Sequence, residues 1–179
     1  MADTITSQFA SREGYLEEFL RFWSARPEVI KIWFSLFTPQ RGSTDPEILT
    51  FDQRDAVLAE LTRLRLLYPL LQMDEPTLRE FASPPKSPED CIFARTTATI
   101  SADLTSKITP CQFGGDPDCS RCGCMASMGL AAIGHHRLLG PLTVGHIFAA
   151  SHLIGKASSS LRRRIQPEPS PVSAPFNIV

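Results

Sequence analysis

All five cysteines of this chain fall between positions 91 and 124, and the first 90 residues hold none. Clustered thiols constrain a fold tightly, because whatever they bind draws separate stretches of backbone to one point. The spacing is Cys91-x19-Cys111-x7-Cys119-x2-Cys122-x1-Cys124. Gly114, Gly115 and Gly123 lie among the last four, where backbone has to fold closely around a bound group. An odd cysteine count, behind a start that lacks the basic and apolar stretches of a secretory signal, points away from a disulfide framework. The same reading expects a cytoplasmic protein.

Thiolates are soft ligands, suited to zinc or to an iron–sulfur cluster. A Cys-x2-Cys pair such as Cys119 and Cys122 puts two sulfurs on one tight turn, the commonest half of either site. Buried cysteines filling a core are the structural alternative, but residues 111–124 are polar and Gly-rich and offer little core to fill. Spacing leaves the metal open. A structural zinc takes four ligands and often includes His, whereas a four-iron cluster takes four thiolates and leaves one of five spare.

Three segments follow one another along the chain, with an α/β rhythm in the first. Residues 1–83 carry Tyr15, Leu16, Phe19, Leu20 and Trp23 at helical spacing, which predicts an amphipathic helix over 12–24. Residues 29–37 are nearly continuously apolar, as a strand covered on both faces is, and end at Thr38-Pro39. Thr50-Phe-Asp-Gln53 has the form of a capping box, and Val57, Leu58, Leu61, Leu64 and Leu67 give the buried stripe of the helix behind it. A short strand over 70–73 then completes a strand–helix–strand unit with parallel pairing.

The second segment opens at Ser83-Pro-Pro-Lys-Ser-Pro88. Two polar, β-prone runs at 92–100 and 106–110 flank Ser101-Ala-Asp103 and predict a hairpin with a cysteine at each outer end. Helices follow to residue 156, one starting at Pro141 and stopping at Gly155. From 157 to 179, serines, Arg162-Arg163-Arg164 and prolines predict a disordered tail.

Several function classes drop out. A formal net charge of −1 removes the electrostatic case for a nucleic-acid binder. No apolar run reaches the ~20 residues of a spanning helix, so no membrane partner is expected. There is no phosphate-cradling Gly-rich loop and no nucleophile elbow. His135, His136, His146 and His152 are expected at helix ends or in solvent, since the thiolates already suffice as ligands. Asp116 and Asp118 are expected to shape the cysteine loop and not to ligate.

These residues resemble a known family. Trp33-Phe-Ser-Leu-Phe-Thr-Pro39, Glu47-Ile-Leu-Thr50 and Leu70-Leu-Gln-Met73 are similar to the later strands and helices of a radical SAM barrel. Cys91, then Ser101-Ala-Asp103, then Ile108-Thr-Pro-Cys111 resemble the hairpin of the SPASM/twitch auxiliary-cluster module, which Cys119-Ser-Arg-Cys122-Gly-Cys124 would complete. The resemblance implies an α/β fold, a partial (β/α) barrel half followed by a small Cys-rich hairpin-plus-helix module. It implies a metal-binding oxidoreductase relative in which Cys91 and Cys111, with two of Cys119, Cys122 and Cys124, hold a [4Fe-4S] cluster for electron transfer or substrate anchoring. Cys122 and Cys124 are close enough in sequence that one of them is expected to stay free. Gly114, Gly115 and Gly123 amides are the expected donors to sulfur.

The family's catalytic Cys-x3-Cys-x2-Cys loop has no counterpart before Cys91. The chain therefore resembles the later half of such an enzyme, and S-adenosyl-L-methionine is implied only in a complete barrel, where Ser35 and Thr38 at the strand's carboxyl end would contact it. The partner implied is the missing N-terminal barrel half or another protein. The alternative function is a zinc-binding structural or interaction module without redox chemistry.

Overall fold

In the computed structural model, residues 1–165 are described. The chain is a mixed α/β protein built on a short parallel sheet. β1 (Ala2–Ile5) leads into α1 (Ser7–Ala10) and α2 (Tyr15–Ser24), and the chain returns as β2 (Trp33–Leu36). β1 and β2 pair in parallel, Ala2 opposite Trp33 and Ile5 opposite Leu36. On the other side of β2, Ile32 makes a parallel bridge to Leu71, the Gln72 amide donating to the Ile32 carbonyl at 2.8 Å.

The strand expected over 29–37 is thus present but short. It alternates instead of being covered throughout, with Phe34 and Leu36 buried and Trp33 exposed. The reason is the narrow sheet, whose second face is met near its carboxyl end by the cysteine-bearing segment. Among the described residues the sheets are all two-stranded, and none is the curved run of parallel strands a barrel wall needs.

α3 (Phe51–Leu64) starts where the capping box requires: the Gln53 amide donates to Thr50 Oγ1 and the Thr50 amide to Gln53 Oε1. Val57, Leu58, Leu61 and Leu64 are buried, as their spacing predicts, whereas Leu67 is exposed because the helix ends at Leu64 and the stripe ends with it. α4 (Glu75–Ala82), capped by Asp74, adds Leu78 and Phe81 to the same core. Full burial of Ile5, Leu20, Ile32, Phe34, Leu61, Leu64, Phe81 and Met128 shows one continuous interior. Cys122 and Cys124 belong to it, so the cysteine segment packs onto the first segment directly.

The expected hairpin forms only at its tip, where β3 (Thr99–Ile100) pairs with β4 (Lys107–Ile108). α5 (Ile92–Thr96) replaces the outer part of the first strand. The β-branched Thr96 and Thr97 look strand-forming in sequence, yet their hydroxyls donate to the Ile92 and Phe93 carbonyls one turn back. After the cysteine loop come α6 (Met125–His135), a small hairpin of β5 (Arg137–Leu139) and β6 (Leu142–Thr143), and α7 (Val144–Ile165).

Pro141 sits in the β5–β6 turn beside Gly140, which has φ of 55°, so the last helix begins at Val144 and not at the proline. Nor does Gly155 stop it. α7 runs on to Ile165, into the stretch expected to be disorder, because a helix continuing on both sides tolerates the ~1 kcal/mol a mid-helix glycine costs. The rest of the expected tail, 166–179, lies outside the described residues. No helix among the described residues is long and apolar enough to cross a membrane.

Candidate metal centre

The cysteine loop is held against the carboxyl end of β2 by backbone. The Leu36 amide donates to the Gly123 carbonyl at 2.8 Å, the Asp118 amide to the Pro39 carbonyl at 2.8 Å, and the Arg41 amide to the Asp116 carbonyl at 2.8 Å. A bridge between Gln40 and Pro117 makes this an antiparallel continuation of the strand end. Gly123 permits the approach: a Cβ there would stand 2.1 Å from the Leu36 carbonyl oxygen. Gly115, at φ of 59°, lies against Gln40 in the same way, and Gln40 Oε1 accepts the Asp116 amide at 2.7 Å.

Ser35 and Thr38 point their hydroxyls at this loop. Ser35 Oγ accepts the Met125 amide at 3.3 Å. Thr38 Oγ1 accepts the Gly123 amide at 2.9 Å and its hydroxyl donates to the Cys122 sulfur. The two residues singled out for cofactor contact therefore dock the cysteine loop onto the sheet.

All five thiols are free, four of them buried and Cys111 half-buried. Burial pushes the Cys122 thiol up to about 12 and the Cys119 thiol to about 11, and raises Cys111 as well. Each of these three also feels two other cysteines, and Cys91 is among the neighbours of all three. Cys124 acts on both Cys111 and Cys122. The hairpin and the loop thus bring thiols far apart in sequence into one electrostatic neighbourhood.

Most of the sulfurs are acceptors. Gln112 Nε2 donates to Cys124 Sγ at 2.9 Å, and the Ser127 amide donates to the same sulfur at 3.4 Å at the start of α6. The Phe113 amide serves Cys111 and the Cys124 amide serves Cys122. Two of the three expected glycine donors are otherwise engaged, Gly114 with the Cys111 carbonyl and Gly123 with Thr38. The reason is that the glycines form the turns, which leaves their neighbours' amides aimed at sulfur. Cys91 Sγ lies 3.8 Å from Ser127 Oγ.

Among the described residues no three His, Cys, Asp or Glu side chains converge closely enough to hold a metal ion. The donors are gathered and desolvated without being closed into a ligand shell. In its chemistry the set nevertheless fits a sulfur-ligated group: burial disfavours thiolate unless something neutralises it, and N–H donors to sulfur favour thiolate.

His135 and His146 lie at helix ends, and Asp116 and Asp118 lie in the cysteine loop. His135 Nδ1 pairs with Glu80 at 2.7 Å, and His146 Nδ1 accepts the Thr143 amide at the start of α7. Asp118 Oδ1 accepts the Ser120 amide and hydroxyl in the turn Cys119–Arg121, and Asp116 pairs with Arg41 at 3.5 Å. An open cavity of about 700 Å³ lies by Leu71, Met73, Ile133 and His136, with no cysteine in its lining.

Sequence reasoning missed Arg54, which is buried in the first turns of α3. Its Nη2 donates to the Phe81 carbonyl at 2.6 Å and the Cys122 carbonyl at 2.7 Å, and Nη1 to the Arg121 carbonyl at 3.3 Å. Burial pulls the guanidinium below its ordinary value, and the charge of Cys122 offsets part of that. Nothing in a helix-spaced arginine announces this contact.

No protein-family model, curated protein or solved structure matches the chain. The site's own chemistry has to carry its reading.

Proposed function

We propose that this chain is an iron–sulfur protein, binding one [4Fe-4S] cluster through Cys91 and Cys111 with two of Cys119, Cys122 and Cys124. The observation that carries the reading is the gathering of five reduced, mostly buried thiols, three of whose sulfurs (Cys111, Cys122 and Cys124) accept hydrogen bonds. At Cys119 the neighbour that favours the thiolate is the Arg41 charge.

When bound, such a cluster supplies one-electron transfer or a Lewis-acidic iron that anchors a substrate. The chain's part is to hold the thiolates. Gln112, Ser127 and the Phe113 and Cys124 amides stabilise negative sulfur, Thr38 orients Cys122, and the core under Cys122 and Cys124 keeps water out.

In this reading residues 1–83 contribute the parallel pairings of β1 with β2 and of Ile32 with Leu71, and the cysteine segment docked on them is a SPASM-like auxiliary module. A protein partner carrying further parallel strands would pair along the edge of β1 that no described strand covers. S-adenosyl-L-methionine cleavage is not assigned to this chain.

The test is anaerobic purification with iron, sulfide and zinc analysis. A brown protein with broad visible absorption and about four irons per chain supports the cluster. A colourless protein holding one zinc sinks it and leaves the zinc-stabilised module.

A further inference from the structure

We infer that Arg54 is the charge-balancing residue of the thiolate centre, a positioning cation on α3 that offsets the negative charge carried at Cys122 when the cysteines are ligated. The inference rests on the thiolate-centre reading above and adds a residue that lies 37 positions before the first cysteine.

A buried guanidinium is costly unless a counter-charge accompanies it. Arg54 has donors satisfied by the carbonyls of Phe81, Arg121 and Cys122, which supply hydrogen bonds but no net charge. None of the ion pairs among the described residues includes it. Of the acidic groups near it, Cys122, whose own carbonyl it holds, acts more strongly than Asp55, while Arg121 adds a second positive charge. Two of its three carbonyl partners lie in the loop Arg121–Cys122, so the same side chain that brings the charge also sets the loop's distance from α3. The planar fork suits this role because several donors leave one charge in fixed directions.

Four thiolates around a [4Fe-4S] core leave a net negative group, and one added electron makes it more negative. A fixed cation beside it favours the reduced state and raises the midpoint potential.

The test compares the full chain with Arg54→Gln, which keeps hydrogen-bonding capacity and removes charge, and Arg54→Lys, which keeps charge. Each is reconstituted anaerobically with iron and sulfide, its folding followed by circular dichroism, and titrated potentiometrically with dithionite supplying the electron. At the wild-type midpoint, Arg54→Gln should show a reduced-to-oxidised ratio about tenfold lower, ~59 mV for a one-electron couple. Arg54→Lys should stay close to wild type. Equal potentials for wild type and Arg54→Gln at equal iron content overturn the inference. So does a folded, iron-replete Arg54→Lys that titrates as low as tenfold predicts for charge loss, a readout that stands even where Arg54→Gln does not fold. If the wild type takes zinc in place of the cluster, the cluster reading fails separately. Zinc competition with a chelator then replaces the potential: about tenfold weaker zinc in Arg54→Gln alone supports charge balance, and equal affinity in all three overturns it.

Discussion

The Leu36 amide donates to the Gly123 carbonyl at 2.8 Å, and the Gly123 Cα lies so close to the Leu36 carbonyl that a Cβ would approach its oxygen to 2.1 Å. This contact fastens the cysteine loop to β2, which is flanked by β1 on one side and by the Leu71 bridge on the other. Replacing the glycine should therefore displace the loop as well as strain it. Gly123→Ala is expected to cost about 3 kcal/mol and to raise the reactivity of Cys122 and Cys124 toward a thiol reagent. Gly134→Ala is the control. Its Cβ would meet Ile92 Cδ1 at 2.2 Å, the far end of a flexible side chain, so it should cost clearly less by urea denaturation.

Thr38 both accepts the Gly123 amide and donates to the Cys122 sulfur. Thr38→Val keeps the shape and strands a partly buried N–H, with an expected loss of about 2 kcal/mol. Thr38→Ser should recover most of it. Chemical denaturation of both variants checks this; equal losses would mean that the methyl group, and not the hydroxyl, holds the loop.

The capping box at Thr50 and Gln53 supports the turn of α3 from which Arg54 reaches the loop. Thr50→Ala should lower unfolding stability by about 1 kcal/mol. Its effect should extend to the cysteine loop, read as faster amide exchange over 121–124, since the anchor for Arg54 loosens with the helix start.

Asp103 closes the tip of the β3–β4 hairpin. Its carboxylate is held down to about 2 by hydrogen bonds from Ser101 first, then Thr105. The folded value lies below the ordinary carboxylate value of ~3.9, so the hairpin's share of stability is present above that pH and is lost as pH falls through about 2. A carboxyl-resonance titration should find Asp103 titrating near 2. Asp103→Asn should remove this dependence and leave the tip frayed at neutral pH.

Much of the first segment was legible because its signals are local. A hydroxyl three residues before an amide donor is a capping box wherever it occurs, and Val57, Leu58, Leu61 and Leu64 can only face one side of a helix. β1 was not legible. Ala2 to Ile5 is half polar, only Ile5 is buried, and its strand geometry comes from pairing with β2 about 30 residues on. Thr96 and Thr97 misled for the converse reason, their strand propensity being outweighed by hydroxyl bonds within a turn.

The sequence by itself determined that five thiols must share a short, Gly-rich stretch and that Cys119 and Cys122 lie on one turn, since spacing along a chain is a covalent fact. Only the tertiary structure decided what surrounds them. Strand pairing carries Thr38 under Cys122, the turn after Cys111 sends Gln112 and not a glycine to sulfur, and the packing of α3 on the loop buries Arg54 at the Cys122 carbonyl. Those neighbours come from residues up to 85 positions away. Their meeting depends on how the elements pack, which no local pattern of side chains encodes.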